Sequence, residues 1–350
     1  MKEYARRLTD ILGETRDIII ITHKNADPDA IASAYSLFYA VRELCNKCRI
    51  TLCLPEGASS LSSRLVDFIR DCTHFEETVI VECGSGDTLA GMPPPSYSVI
   101  TLDMGSIEQG GCCEQVILKA AENNLLVVID HHEQGSLRSL ATLFIGGAEY
   151  SSTSEIVFLL LDALNGELIS KCVATTLLAG IAYDTRRLQI IKEKTCGVVH
   201  KLVSHYSGSY VKALSLIENE PDRSQRIAML KAFQRLILEE IHGFIVASTH
   251  IGSFESQVAR SLVNNGADVA IVLSEKKGHY RISLRARPNT VDVSRFAYWL
   301  ARKYGGSGGG HKESALYEGP LEGLRGNRDK IAKILIRLLE EYHRGKHRAG

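Results

Sequence analysis

The sequence predicts an α/β protein: a doubly wound, mainly parallel sheet domain, then a smaller α+β domain joined to it by a connector helix. Three observations carry this. Short β-branched runs alternate with amphipathic segments through the first part of the chain, the pattern of strands linked by helical crossovers. The run Asp17-Ile18-Ile19-Ile20-Ile21-Thr22 is apolar at every interior position, as a strand buried on both faces of a parallel sheet requires. All nine cysteines lie between Cys45 and Cys196, so the two halves differ in composition as separate domains do. A chain of 350 residues also exceeds the usual size of one domain. The expected divisions are residues 1–205, a linker and connector helix over 206–242, a second domain over 243–340, and a basic tail over 341–350.

Strand Asp17–Thr22 is followed by a helix from Asp29 to Leu44. Further strands are expected at Arg49–Leu54, Thr78–Glu82, Ser98–Leu102, Leu125–Ile129 and Ala141–Ile145. Helices are expected at Leu61–Arg70, Glu114–Asn123, Ser154–Leu164 and Lys171–Ala182, with Pro93-Pro94-Pro95 as a stiff loop. After a polar, poorly patterned stretch from Ser204 to Asp222, apolar Ile227, Leu230, Phe233, Ile237 and Ile241 recur at helical spacing. They mark Arg223–His242 as the connector helix. The second domain then reads as strands at Gly243–His250, Val269–Leu273 and Tyr280–Arg285, and helices at Val258–Asn264 and Val293–Lys303.

Lys+Arg and Asp+Glu are equal at 41 each, which argues against a protein that coats long nucleic acid through an overt basic excess. No apolar stretch reaches the ~18 residues of a membrane span, and Met1–Arg16 has no apolar signal core, so a cytoplasmic location is expected. Cys45 and Cys48 form a CxxC, but the second CxxC of a zinc ribbon is missing, and the cysteines are expected as reduced structural thiols.

Four acidic or histidine clusters stand out in the first domain, each expected directly after a strand. They are His23…Asp27-Pro28-Asp29, Asp103, Asp130-His131-His132, and Asp184 within Gly180–Thr185. Taken singly, Asp103 and Asp184 are ordinary turn or helix-cap residues, and His131-His132 an ordinary turn pair. Together, carboxylates gathered at the strand ends of one sheet repel each other unless cations are present. Oxygen and imidazole ligands suit Mn²⁺ or Mg²⁺. Two such ions about 3.5–4 Å apart need roughly six to eight protein ligands with a bridging carboxylate, which these clusters can supply. In the second domain Ser283-Leu284-Arg285-Ala286-Arg287 ends a strand. The run Gly305-Gly306-Ser307-Gly308-Gly309-Gly310-His311 reads as a loop whose backbone N–H groups can nest an anion.

These motifs, in this order, resemble the DHH phosphoesterase superfamily, named for the sequence that stands here as Asp130-His131-His132. The glycine–histidine run resembles its DHHA1 companion domain, found in nano-RNases, RecJ-type nucleases and cyclic-dinucleotide phosphodiesterases. The resemblance spans Thr22 to Ala315 and implies two Mn²⁺ ions, with Mg²⁺ or Co²⁺ as substitutes. It implies His23 and Asp27 on one ion, Asp29, His131 and Asp184 on the other, and Asp103 between them. It implies that Asp130 orients a ligand from behind and that His132 faces the substrate phosphate. Arg285, Arg287, Gly308, Gly309, Gly310 and His311 are implied in substrate binding. Arg186 departs from the pattern, standing where a small residue is common.

The implied reaction is hydrolysis of a phosphate ester by water activated between two metals. Short oligonucleotides are the leading substrate, with 3′-phosphoadenosine 5′-phosphate as a further one. Alternatives are a cyclic or linear dinucleotide, a RecJ-like single-strand exonuclease activity, and an inactive scaffold, against which every expected ligand position is filled. Homodimers are common among resembling proteins, and no interface is legible.

Overall fold

The structure is a computed structural model that describes residues 1–13, 17–45, 47–73, 80–81, 97–218, 222–276, 278–321 and 327–347. It divides into two compact units, Met1–Asn219 and Glu220–Gly350. Of the expected strand Thr78–Glu82, Ile80–Val81 is described and is a strand. Pro93-Pro94-Pro95 lies outside the described residues.

The first unit holds a six-stranded sheet of β1 (Asp17–Thr22), β2 (Arg49–Cys53), β3 (Ile80–Val81), β4 (Tyr97–Leu102), β5 (Leu126–Asp130) and β6 (Leu143–Gly146). The order is β3-β2-β1-β4-β5-β6, and every pair is parallel. Strand β1 is buried on both faces. Ile18 and Ile20 join one core with helices Pro28–Leu44, Thr153–Leu164 and Lys171–Asp184, while Ile19 and Ile21 join another with helix Glu114–Glu122. Helices on both faces make the sheet doubly wound, and the strand order reverses between β1 and β4. Ligands of such sheets bind beyond the strand ends at that switch point. Register places Thr22 beside Leu102 and Leu102 beside Ile129, so His23, Asp103 and Asp130 emerge from neighbouring strands at one end of the sheet.

Within the stretch Ser204–Asp222, residues 210–217 are more ordered than its polar sequence suggests. Helix Tyr210–Ile217 buries Ala213 and Leu216 in the first core.

The second unit is a sheet of β7 (Ile237–Ile241), β8 (Phe244–His250), β9 (Val269–Lys276), β10 (His279–Ala286), β11 (Ser307–His311) and β12 (Ser314–Gly319), in the order β11-β12-β10-β9-β8-β7. Two expectations are corrected here. The connector helix stops at Gln234, and Ile237–Ile241 is a strand hairpinned to β8. His242 and Gly243 form its turn with φ 49° and 81°, the left-handed pair that a two-residue hairpin prefers. The glycine-rich run is the strand β11, not a loop, paired antiparallel with β12. One face of this sheet is covered by helices Val293–Tyr304 and Arg328–His347. The latter runs through most of the segment expected as a basic tail. Among the described residues no helix is long and apolar enough to cross a membrane.

The cysteines are also corrected. Cys45 is bonded to Cys48 and Cys72 to Cys172, and Cys112 is disulfide-bonded as well. Cys53, Cys113 and Cys196 are free thiols, as expected.

Candidate metal centre

The four clusters of the first unit converge. His23 follows β1, Asp103 follows β4, and Asp130 ends β5. Asp184 departs from expectation: it closes helix Lys171–Asp184 instead of following a strand. A carboxylate is unfavourable at a helix C-terminus unless a cation offsets it.

The helix-capping rules of the sequence explain how these side chains are held. Asp27 caps helix Pro28–Leu44, its Oδ1 accepting the Asp29 and Ala30 N–H groups at 3.0 and 3.1 Å. Asp29 points instead at the start of helix Thr153–Leu164, accepting from Thr153 N at 2.7 Å and Ser154 N at 2.9 Å. Thr153 Oγ1 also donates to Asp103 Oδ1 at 2.9 Å. Asp103 itself has φ 58°, a left-handed conformation uncommon for non-glycine residues but one that Asp tolerates better than most.

Three groups of potential ligand atoms result, each within 4.8 Å: His23/Asp27/Asp103, Asp29/Asp103/His131/Asp184 and Asp103/His131/His132. Asp103 belongs to all three. His131 Nε2 lies 3.5 Å from Asp103 Oδ1 and 3.2 Å from Asp184 Oδ2. His23 Nε2 lies 3.8 Å from both Asp27 Oδ1 and Asp103 Oδ2. His23 donates Nδ1–H to the Lys24 carbonyl at 2.9 Å, which turns Nε2 toward those carboxylates. Asp130 belongs to none of the three groups but touches a member of one: its Oδ1 bonds His132 Nδ1 at 2.7 Å. A cavity of about 410 Å³ opens over the cluster, lined by His23, Asp27, Asp103, His131, His132, Asp184 and Gln109.

The electrostatics favour cations. Burial, then the Asp29 and Asp27 charges, hold the Asp103 carboxyl well above its usual range. Burial, then Asp29 and Asp103, push Asp184 up to about 11. Burial likewise raises Asp29 and lowers His131, which keeps that imidazole unprotonated. Burial opposes a proton on His23, yet the Asp27 carboxylate and the Lys24 carbonyl outweigh it and lift His23 to about 9. The Asp130 hydrogen bond lifts His132 to about 9 as well. Carboxylates that ionise only against their own repulsion, beside a neutral imidazole, form a donor set that fits divalent cations.

A stability test follows. His23 and His132, raised from 6.5 to about 9, bind more protons folded than unfolded. The stability they add is complete below pH 6.5 and is lost as pH rises through about 9; Asp184 acts with the same sign up to about 11. The melting temperature in chelator is therefore expected to fall between pH 6.5 and 9, and saturating Mn²⁺ to flatten that slope. A metal-free melting temperature that climbs over this interval is the contrary result.

Sequence reasoning missed Thr153, Ser154 and Gln109. The signal for the first two was Ser152 with Glu155 three residues later, a helix start whose cap the structure bears out through the Glu155 N–H bond to Ser152 Oγ. Gln109 Oε1 accepts the Gly105 and Ser106 N–H groups, both at 2.9 Å, and so closes the turn after Asp103.

Comparison with known proteins agrees with this geometry. Residues 17–181 match the DHH family, N-terminal domain, and residues 252–341 match the DHHA1 domain. The chain belongs to the DHH/DHHA1 phosphoesterases. An uncharacterized protein of Methanocaldococcus jannaschii is 29% identical over 339 residues, covering 94% of this chain and 96% of the relative. The cyclic-di-AMP phosphodiesterase GdpP of Geobacillus thermodenitrificans is 25% identical over 89% of this chain, which spans only 46% of that protein. An exopolyphosphatase-related protein of Bacteroides fragilis shares the fold, with TM-score 0.62 and 17% identity over 98% of this chain and 97% of its own. As a DHH/DHHA1 protein, the chain is a metal-dependent phosphoesterase.

In the DHHA1 unit, register sorts the expected substrate residues. Arg285, Ser314 and His311 stand abreast on β10, β12 and β11, and Ser283, Leu316 and Gly309 form another such row. Directly paired residues share a face and alternate residues return to it, so Arg285, Gly309 and His311 point the same way. Gly308 faces the opposite side, where a Cβ would overlap the Ala297 carbonyl of helix Val293–Tyr304. Gly310, at φ 141°, would overlap the Ser314 carbonyl. Packing and backbone conformation thus account for those two glycines, whereas Gly309 meets open space. Arg287 is turned aside, 3.8 Å from Asp268.

Proposed function

We propose that this phosphoesterase hydrolyses oligonucleotides of about two to five units, and also 3′-phosphoadenosine 5′-phosphate, with Mn²⁺ as its metal. The observation that carries the reading is the sharing of Asp103 by both ligand groups beneath a cavity of about 410 Å³. That volume suits one nucleotide-sized group and its phosphate. His23, Asp27 and Asp103 would hold one cation, and Asp29, Asp103, His131 and Asp184 the other. Two bound cations neutralise phosphate charge and acidify water.

The chain's own residues do the rest. The Thr153 and Ser154 N–H groups fix both oxygens of Asp29, and the Thr153 hydroxyl fixes Asp103. His132, with a pKa of about 9, is an imidazolium at neutral pH, held by Asp130 through Nδ1. Its Nε2–H is free to meet a phosphate oxygen and to stabilise the charge that develops there. In the DHHA1 unit, Arg285, Gly309 and His311 are assigned to the substrate's nucleotide or terminal phosphate.

The similarity to GdpP supports a second reading, hydrolysis of a cyclic dinucleotide. Turnover of a dinucleotide, a cyclic dinucleotide and a strand of about twenty nucleotides with Mn²⁺ separates the readings. The dinucleotide is expected to be fastest. Preference for the long strand would overturn the proposal, and preference for the cyclic compound would install the second reading.

A further inference from the structure

The DHHA1 sheet carries more unpaired positive charge than Arg285 alone. Helix Glu255–Asn264 packs Val258, Ala259 and Leu262 onto Ala247, Ala270 and Val272, on the face opposite the two long helices. Beside it, on the face that bears Arg285, Gly309 and His311, a cavity of about 360 Å³ is bounded by residues 253–257, Arg281, Ser283 and Leu316. A second cavity, of about 430 Å³, shares Ser256 and Gln257 with the first and takes in Arg260. Arg285 reaches the shared wall, where Nη2 donates to Ser256 Oγ at 3.3 Å. Three arginines therefore flank one polar track.

Their lack of partners matters. Elsewhere in this unit Arg287, Arg295 and Arg328 pair with Asp268, Asp292 and Glu275. Among the described residues Arg260 and Arg281 have no hydrogen-bond or ion-pair partner, and Arg285 Nε is buried without one. Glu318 stands opposite Arg281 in register, yet the two form no ion pair. Glu255 is engaged with Ser274. Burial, then the Arg260 charge, lower the Arg285 pKa, as happens when two guanidinium groups share a site without an anion. Arg281 and Arg285 are four residues apart on one strand, about 13 Å at ~3.3 Å per residue, too far for one phosphate to bridge.

We propose that this track holds the sugar–phosphate chain of the substrate beyond the nucleotide at the Arg285–His311 row, with Arg281 and Arg260 each contacting a further phosphate. The inference rests on the oligonucleotide reading above and deepens it. Affinity then grows with the number of phosphates, whatever the bases, because guanidinium–phosphate contacts carry no sequence information.

The test is calorimetric titration of the full-length protein in chelator with adenosine monophosphate and with a four-nucleotide oligoadenylate. The wild type is expected to prefer the tetranucleotide. Arg281→Gln and Arg260→Gln should each lower the ratio of tetranucleotide to mononucleotide affinity by about tenfold, and reduce the salt slope of tetranucleotide binding by about one. Arg281→Lys, which keeps the charge, should retain most of the ratio. Both side chains are exposed, so melting curves like the wild type's are expected of the variants. A ratio unchanged in both Gln variants, with the wild-type preference intact, overturns the track and leaves the oligonucleotide reading standing. Equal wild-type affinity for the two ligands overturns both.

Discussion

Asp103→Ala is expected to lower Mn²⁺-dependent phosphodiester hydrolysis by at least about a thousandfold, since a lost metal contact removes several kcal/mol of charge stabilisation and each ~1.4 kcal/mol is tenfold. No other residue belongs to all three ligand groups, so no neighbour can take over its position between them. Asp103→Asn is the sharper variant because it keeps the side-chain shape and an oxygen for the Thr153 hydroxyl. In chelator this variant should melt no lower than the wild type, because the buried carboxylate it removes is disfavoured by Asp29 and Asp27. With Mn²⁺ the wild type should gain thermal stability and the variant much less. Initial rates across a Mn²⁺ titration, with melts of both proteins, provide the check. Activity within tenfold of the wild type at saturating Mn²⁺ would remove Asp103 from the centre of the mechanism.

Much of the metal centre was legible because its residues sit where local rules operate. A run such as Ile18–Ile21 declares a strand buried on both faces, and His23 and Asp103 follow strands directly while Asp130 ends one. Asp184 was legible near a helix end, since a helix was expected over Lys171–Ala182, but its grouping with clusters that follow strands was wrong. The connector helix failed at its end because Ile237 and Ile241, four apart, satisfy the helical period and the strand period alike. The His242–Gly243 turn was the signal that would have separated them. Strand β11 was illegible for another reason. A glycine run has no strand preference, and its pairing is imposed by β12 together with the close approach of Gly308 to Ala297. Cys72 and Cys172 stand 100 residues apart, so their pairing is a tertiary fact with no local trace. Thr153 and Ser154 announce a helix start, but that its N–H groups meet Asp29 depends on the packing of two helices.

That same packing gives Gly180→Ala an effect opposite to the usual one. In a helix interior, replacing glycine by alanine ordinarily stabilises by up to ~1 kcal/mol through the backbone entropy of the unfolded chain. Gly180 lies inside helix Lys171–Asp184, but a Cβ there would overlap Ser154 Oγ and come within 2.8 Å of Asp29 Oδ1 and 2.9 Å of Ala32 Cβ. The Ser154 hydroxyl can rotate away, but the other two cannot retreat cheaply: Asp29 is held by two backbone N–H groups, and the Ala32 Cβ is fixed to its own helix. Overpacking of a buried contact costs about 1–3 kcal/mol, which exceeds the entropic gain. The expected outcome is a melting temperature lower by several degrees, at about 2–4 °C per kcal/mol for a unit of this size, together with a loss of hydrolysis as Asp29 is displaced. Gly197→Ala supplies the control. Gly197 lies in helix Thr195–Ser204 with nothing within 4 Å of its added Cβ, so the same substitution should raise the melting temperature and leave turnover alone. Two glycine-to-alanine changes in helices of one unit should thus move stability in opposite directions. If Gly180→Ala behaves like Gly197→Ala, the close approach of that helix to Asp29 is wrong, and with it the account of how the second ligand group is assembled.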